Sequence, residues 1–479
     1  MFDIHHYDFT DAEIAAAAAA DRLLSLEVEF NRQCNYRCPY CYAAASAQVP
    51  AQYDPRVIDV AVSQAAELGA RKIVILGGEP FLFKGLRDKV SMIRARGLGV
   101  EIHTNGSIMT AELASFLFAQ GCRVVVKFNT RNPAVHELLT GVKESLDNSL
   151  NTLRLLQEAG FSEDMLGASS VISADNIDEV VDLWKYLRQR KIRPHFEILT
   201  PQGRLLSHQE LEVDLRRLQA VFTEIEQYDR SIGHAWDAQP PLVGAKCLRH
   251  TYSALINAEG EVFPCVGIDI AIGNILAQPL AKILRDSVII KDLKNHLEMI
   301  KGPCRACDKA ASCYGCRGAA YQLTGDYLAS DPLCWRNADK QAQIQALPMA
   351  ALPYIPHRPP MAMVEKIVKA GVTHVVSAVI RPDNLFVNGA GVLDRAVIPE
   401  LVAQAGAAMD SFHYDGRVRP GFLAIGHAIR CSRDIHCGDE ISITLSEDNI
   451  LDNWYQLNFS ISNQLGELCA QGEVNVCII

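Results

Sequence analysis

The chain has no unbroken apolar run near the ~20 residues a membrane-spanning helix needs, no surplus of basic residues, and no export signal. The first lack excludes a transmembrane helix from the expected fold. With 46 Lys and Arg against 56 Asp and Glu, a net charge of −10, a nucleic-acid-binding surface is disfavoured, although a local basic patch for an acidic carrier or a phosphate stays open. The Ala-rich run over 15–20 sits among Asp11, Glu13 and Asp21 and lacks the basic start and greasy core of a signal peptide, so it is expected to form an amphipathic or capping helix. These lacks together point to a cytoplasmic protein that binds neither nucleic acid nor membrane.

What is present in quantity is apolar residue content, 49% over 479 residues, enough for several buried cores, and cysteine. The fifteen cysteines would suggest disulfides in a small secreted protein, but here most are clustered at ligand-like spacings in a long chain. Cys34, Cys38 and Cys41 form a C-x3-C-x2-C loop directly after an apolar-alternating segment. Three thiolates on one loop can hold three irons of a four-iron cluster and leave the fourth open to another ligand. Cys122, Cys431, Cys437, Cys469 and Cys477 have no ligand-like spacing and are expected to be small buried hydrophobes.

Strands are expected over 26–30, 72–76, 99–103, 123–128, 166–172 and 194–199, each followed by a helical pattern. Alternation of this kind predicts a parallel sheet with right-handed crossovers. Six βα units without a seventh and eighth predict a partial, open (β/α)6 barrel, with reactive groups at the carboxyl ends of the strands. Gly77, Gly78 and Glu79 end the second of these strands, Asn105 follows the third, and Lys127 and Asn129 close the fourth. Two glycines permit close backbone approach to a ligand, and a carboxylate beside them can pair with an ammonium group. Alone, such a turn is weak; one βα unit after the three-cysteine loop it gains weight. Asn105-Gly106 also fits a plain turn.

The loop and the Gly-Gly-Glu-Pro turn resemble the radical S-adenosylmethionine superfamily. The resemblance implies that Cys34, Cys38 and Cys41 ligate a 4Fe-4S cluster whose open iron is chelated by S-adenosylmethionine. By the same resemblance Tyr40 packs near the adenine, Gly77, Gly78 and Glu79 receive the methionine amino end, and Asn105, Lys127, Asn129 and Ser170 serve the ribose and carboxylate. An electron from a low-potential donor such as ferredoxin or flavodoxin then cleaves the sulfonium bond to a 5′-deoxyadenosyl radical, the hard chemistry residing in the cofactor.

A second constellation comprises Cys247, Cys265, Cys304, Cys307, Cys313, Cys316 and Cys334. Zinc ribbons also use paired C-x2-C units, though seven cysteines do not divide into four-ligand sets. Behind the preceding core the order resembles the SPASM extension with two auxiliary 4Fe-4S clusters. The resemblance gives Cys304, Cys307, Cys313 and Cys334 to one cluster and Cys247, Cys265 and Cys316 to the other. The spacing from Cys313 to Cys316 is one residue shorter than the family's, and no eighth cysteine is evident, so the fourth site of the inner cluster is open, filled by His250, or filled by substrate.

A Pro-rich stretch over 347–356 reads as a linker. Beyond it a helix over 395–411 is surrounded by strand patterns over 424–431, 440–445, 454–461 and 467–476. One long helix among antiparallel strands predicts an α+β hotdog domain, and the segment resembles the 3-hydroxyacyl-carrier-protein dehydratases. Glu400 and Gln404 lie one helical turn apart, and Glu400 takes the place of that family's catalytic carboxylate. The family's histidine is replaced by Asn388-Gly389, leaving His357 as the local candidate for its acid–base partner. The domains expected are therefore 1–234 for the barrel, 235–345 for the SPASM region and 354–479 for the hotdog, which usually pairs subunits into a homodimer.

Two functions are consistent with this organisation. One is a radical oxidoreductase in which the auxiliary clusters take the electron left on the substrate, with an acyl carrier protein delivering an acyl or aminoacyl thioester, or a peptide precursor, as substrate. The other is a hotdog dehydratase or acyl-binding module with a redox-sensing iron–sulfur front end.

Overall fold

The computed structural model describes residues 8–49, 54, 56–371, 373–414, 418–419, 421–451 and 453–478. It divides into two units, Met1–Leu323 with Ser330–Gln343, and Thr324–Ala329 with Ile344–Ile479.

In the first unit six strands, β1 (Ser25–Glu29), β2 (Lys72–Leu76), β3 (Gly99–Thr104), β4 (Arg123–Lys127), β5 (Leu166–Ile172) and β6 (Arg193–Ile198), run parallel, each paired to the next in chain order. β7 (Leu255–Ile256) pairs parallel to the free side of β1, and β8 (Glu261–Phe263) and β9 (Gly273–Asn274) continue the sheet antiparallel. The sheet is open, with β6 at one end and β9 at the other. This is the partial barrel the βα alternation predicts.

Period two along the strands sends Leu26, Val28, Ile73, Ile75, Val100, Ile102, Val124 and Val126 into one core with the helices, all at 0% exposure. The other face is also buried but charged. Lys72 Nζ donates to Glu101 Oε2 at 2.8 Å and Glu27 pairs with Arg249, satisfying charges that burial would otherwise penalise. The run over 15–20 is helical within Asp11–Ala19, where Thr10 and Glu13 form a reciprocal capping box. Among the described residues no helix is long and apolar enough to cross a membrane.

In the second unit β10 (Met349–Ala350), β11 (Lys366–Lys369), β12 (His374–Val379), β13 (Gly421–Cys431), β14 (Glu440–Leu451), β15 (Trp454–Ser462) and β16 (Leu468–Ile478) form a sheet in the order β10-β11-β12-β14-β15-β16-β13, all neighbours antiparallel. The helix Ile398–His413 buries Leu401, Val402, Ala405, Ala408 and Met409 in the core of this unit. At Gly406 a Cβ would stand 2.6 Å from Leu457 Cδ1, so glycine sets the distance between helix and sheet. This is the hotdog arrangement. The stretch over 347–356 is no linker: Met349 and Ala350 pair with β11, and Ala351, Tyr354 and Ile355 are buried in the same core. Its prolines signalled a break in regular structure, and the apolar residues between them decide that it packs.

Candidate functional site

The cysteine loop is held at both ends. At its start the Gly78 and Glu79 amides donate to the carbonyls of Asn31 and Gln33 at 2.9 and 2.7 Å, and Asn31 Nδ2 donates to the Glu79 carbonyl at 3.1 Å. A Cβ at Gly77 would lie 2.3 Å from the Asn31 carbonyl oxygen, and one at Gly78 1.9 Å from that of Gln33. The glycine pair is expected to approach a ligand; what it approaches closely in the structure is the backbone leading into Cys34. At the other end Arg204 donates from its amide to Cys41 O at 3.1 Å, from Nε to Cys38 O at 2.9 Å and from Nη1 to Ala45 O at 2.9 Å. Sequence reading missed Arg204, because nothing near it in the chain marks carbonyls some 160 residues away as its partners.

Glu79 is fully buried and accepts from Thr104 Oγ1 at 2.6 Å, the Asn105 amide at 2.7 Å and the Phe81 amide at 3.0 Å. Burial raises its carboxyl to about 7 against those three donors. The side chain therefore fixes the end of β3 to the turn after β2. Asn105 is both turn former and neighbour of the loop: its Oδ1 accepts from the Ser107 amide at 2.9 Å, while its Nδ2 lies 2.9 Å from Asn35 Oδ1 and 3.8 Å from Cys34 Sγ.

Tyr40, Lys127, Asn129 and Ser170 form a second connected group. Asn129 Nδ2 donates to the Tyr40 hydroxyl at 2.7 Å, Lys127 Nζ stands 5.1 Å from the Tyr40 ring centre, and Ser170 Oγ donates to the Asn129 carbonyl at 3.2 Å. Burial lowers the pKa of Lys127, opposed by Glu197, Cys38 and Cys41 nearby.

Glu29, at the carboxyl end of β1, was not singled out by sequence. It is 5% exposed and accepts from the Tyr42 hydroxyl at 2.8 Å, with Arg32 and Glu259 as its charged neighbours. Burial raises its carboxyl to about 7. A carboxyl raised on folding favours the fold most at low pH, and that contribution is lost as pH rises through about 7. Glu29→Gln is thus expected to match wild type closely near pH 4, below the ordinary carboxyl value, and to be more stable by ~3 kcal/mol at pH 8, checked by denaturant unfolding at both pH values.

All fifteen cysteines are free thiols. Seven of the ten at ligand spacings have sulfurs that amide groups favour as thiolates. Sulfur accepts from Tyr36 N at Cys34 (3.4 Å), Gly315 N at Cys313 (3.3 Å), Ala319 N at Cys316 (3.3 Å) and Asn337 Nδ2 at Cys304 (3.3 Å). The Arg249, Gly267 and Arg336 amides favour the thiolates of Cys247, Cys265 and Cys334 in the same way. Cys469 and Cys477 donate to the carbonyls of Glu467 and Ile478, with the Asn463 amide also favouring the Cys469 thiolate, and Cys307 donates to Asp308 Oδ1 at 3.4 Å. Burial works against the donors, pushing the Cys34 and Cys265 thiols up to about 12 and Cys38 to about 11. A bound cation resolves that conflict, since a coordinating thiol loses its proton outright. The residues present thus fit an iron–sulfur group.

Cys247, Cys265 and Cys316 lie within electrostatic reach of one another, as do Cys304, Cys313 and Cys334. Among the described residues no three His, Cys, Asp or Glu side chains surround the position of a single ion; a cubane asks for a different spacing, because each iron takes its own thiolate. His250 is buried with its Nδ1 3.4 Å from the Pro264 carbonyl.

In the second unit His357 Nε2 stands 3.3 Å from Glu400 Oε1, which also accepts from Gln404 Nε2 at 2.9 Å. Gln404 in turn donates to the Met361 carbonyl and accepts from the Met363 amide, both at 2.9 Å. Asn388 Oδ1 accepts from the amides of Ala390 and Val392 at 2.9 and 3.1 Å, so it builds its own turn. A cleft of about 460 Å³ is lined by Pro359, Val364, residues of β10 and Ala362, the last within the segment that Gln404 tethers.

Three family descriptions match successive parts of the chain: the radical SAM superfamily over 28–196, an iron-sulfur cluster-binding domain (SPASM) over 247–308, and ApeP dehydratase over 349–478. The AdoMet-dependent heme synthase of Methanosarcina barkeri is 26% identical over 348 residues, 67% of this chain and 97% of that protein. That of Nitratidesulfovibrio vulgaris is 24% identical over 335 residues, 64% and 90% of the two chains. Among solved structures, Streptococcus suis SuiB bound to S-adenosylmethionine superposes with a TM-score of 0.53 at 16% identity, covering 68% of this chain and 84% of that one. Native anSMEcpe with bound AdoMet gives 0.53 at 15%, covering 66% and 95%. The chain thus carries, in succession, stretches that match the radical SAM, SPASM and ApeP dehydratase models, the make-up of an iron–sulfur enzyme.

Proposed function

We propose that this enzyme takes hydrogen from an acyl or aminoacyl group carried on an acyl carrier protein. The observation that carries the reading is the His357–Glu400–Gln404 set in the ApeP-like domain: a chain that keeps an acid–base pair in a domain of this fold is suited to thioesters. Cys34, Cys38 and Cys41 hold the first 4Fe-4S cluster; Cys304, Cys307, Cys313 and Cys334 hold one auxiliary cluster, and Cys247, Cys265 and Cys316 hold the other. When bound, the first cluster would supply the electron for cleaving S-adenosylmethionine, drawn from a donor such as ferredoxin or flavodoxin, and the auxiliary clusters held by the later cysteines would take up the electron left on substrate.

The protein's part is orientation. Gly78 and Arg204 fix the loop, Glu79 fixes Asn105 beside Cys34, and Asn129 and Lys127 hold Tyr40 against the adenine side. Glu400 and His357 act as base and acid on the thioester-bound chain. The edge strand β13, with Phe422 and Ile425 about half exposed, supports a homodimer that continues the sheet.

A second reading, a tetrapyrrole substrate, rests on the alignment covering 97% of a heme synthase; the solved SuiB complex with precursor peptide SuiA motivates a peptide control. Deuterated acyl-carrier conjugate, peptide and tetrapyrrole are each incubated with reduced enzyme and S-adenosylmethionine. Deuterium is expected in 5′-deoxyadenosine from the carrier conjugate alone, and transfer only from peptide or tetrapyrrole overturns the carrier reading.

A further inference from the structure

Tyr314 lies between Cys313 and Cys316, which the proposed ligand sets give to different auxiliary clusters. It is 1% exposed, among the largest fully buried side chains of the described residues. Its ring is clamped by two histidines, His250 at 5.1 Å between ring centres and His296 edge-on at 5.5 Å, so the hydroxyl has little freedom to turn away. That hydroxyl meets the geometry of no hydrogen bond to a protein atom. It is nonetheless near enough to the Cys247 sulfur to favour the thiolate there, and Cys247 and Cys265 are the groups that bear most on it after burial.

A buried O–H without an acceptor is costly, and native structures rarely leave one. The neighbourhood offers it sulfur: Cys247 and Cys265 bear on the phenol, and Cys316 lies within electrostatic reach of both. His250, by contrast, turns its Nδ1 to the Pro264 carbonyl and packs against the phenol.

We infer that the Tyr314 hydroxyl donates a hydrogen bond to the sulfur of the inner auxiliary cluster and sets that cluster's reduction potential. The inference rests on the proposed assignment of Cys247, Cys265 and Cys316 to that cluster. A donor on cluster sulfur stabilises the reduced, more negative state and so raises the potential; Tyr314 thereby makes the inner cluster a better electron acceptor than it would be without the hydroxyl. It is a positioning residue for electrons, with no contact to substrate required.

The test is an EPR-monitored redox titration of the full chain, reconstituted anaerobically, with iron counted per chain. Cys247→Ala identifies the inner cluster as the signal it removes, and a Cys247→Ala chain with wild-type iron content overturns the cluster assignment and the inference with it. With the assignment standing, Tyr314→Phe is expected to keep its iron and shift the inner midpoint downward, the other clusters unmoved. An inner midpoint equal to wild type overturns the inference alone. Should Tyr314→Phe fail to hold iron, the wild-type sequence carrying 3-fluorotyrosine, a stronger donor, is expected to raise the same midpoint; an unmoved value overturns the inference.

Discussion

Gly78→Ala is expected to fold and yet to lose the iron of the first cluster, with formation of 5′-deoxyadenosine falling at least ~100-fold. The new methyl would sit 1.9 Å from the Gln33 carbonyl oxygen and 2.4 Å from its carbon, and both atoms are backbone, so no side chain can swing aside. Overpacking of this kind costs ~1–3 kcal/mol or more. The strain is released most easily by pushing the strand-to-loop junction outward, one residue before Cys34. The two hydrogen bonds that tie Gly78 and Glu79 to Asn31 and Gln33 go with it. Gly389→Ala, where a Cβ meets nothing within 4 Å, serves as control and is expected to behave as wild type. Iron per chain and product by liquid chromatography decide it; a Gly78→Ala chain with full iron and full product would show that the glycine pair does not hold the loop.

Glu400→Gln is expected to lower hydration of a crotonyl-carrier thioester by ~100- to 10,000-fold, the range a positioned acid or base contributes. Gln keeps the length and can still accept from Gln404, so the helix and its tether to Met361 and Met363 survive. What it loses is the carboxylate that faces His357 Nε2 at 3.3 Å. His357→Ala is expected to match it, since the two act on one proton path. Wild-type protein inert in this assay would leave the domain to binding or dimerisation.

The six barrel strands were legible because each alternates with a helix and carries its own apolar run; Lys72–Leu76 and Leu166–Ile172 have the expected bounds. Expected ends overshoot at Phe30 and Phe128, which are buried at 0% exposure beyond the last residue of β1 and β4. Hydrophobicity tracks burial, and burial outlasts the ladder. The cysteine groups were legible as candidates from spacing, and the fold brings Cys247, Cys265 and Cys316, and Cys304, Cys313 and Cys334, within electrostatic reach of one another. Arg204, Glu29 and Tyr314 were not, since each acquires its role from partners brought in by the fold: carbonyls of the cysteine loop, a hydroxyl after Cys41, a thiol of the Cys247 group. The Pro-rich stretch misled for the opposite reason, its composition describing the backbone while Tyr354 and Ile355 decide the packing.

The most direct measurement of the central claim is 5′-deoxyadenosine formed from S-adenosylmethionine and dithionite by anaerobically reconstituted enzyme, wild type against Cys34→Ala. Product from wild type and none from the variant is the predicted result. No product from wild type, or equal product from both, would contradict it.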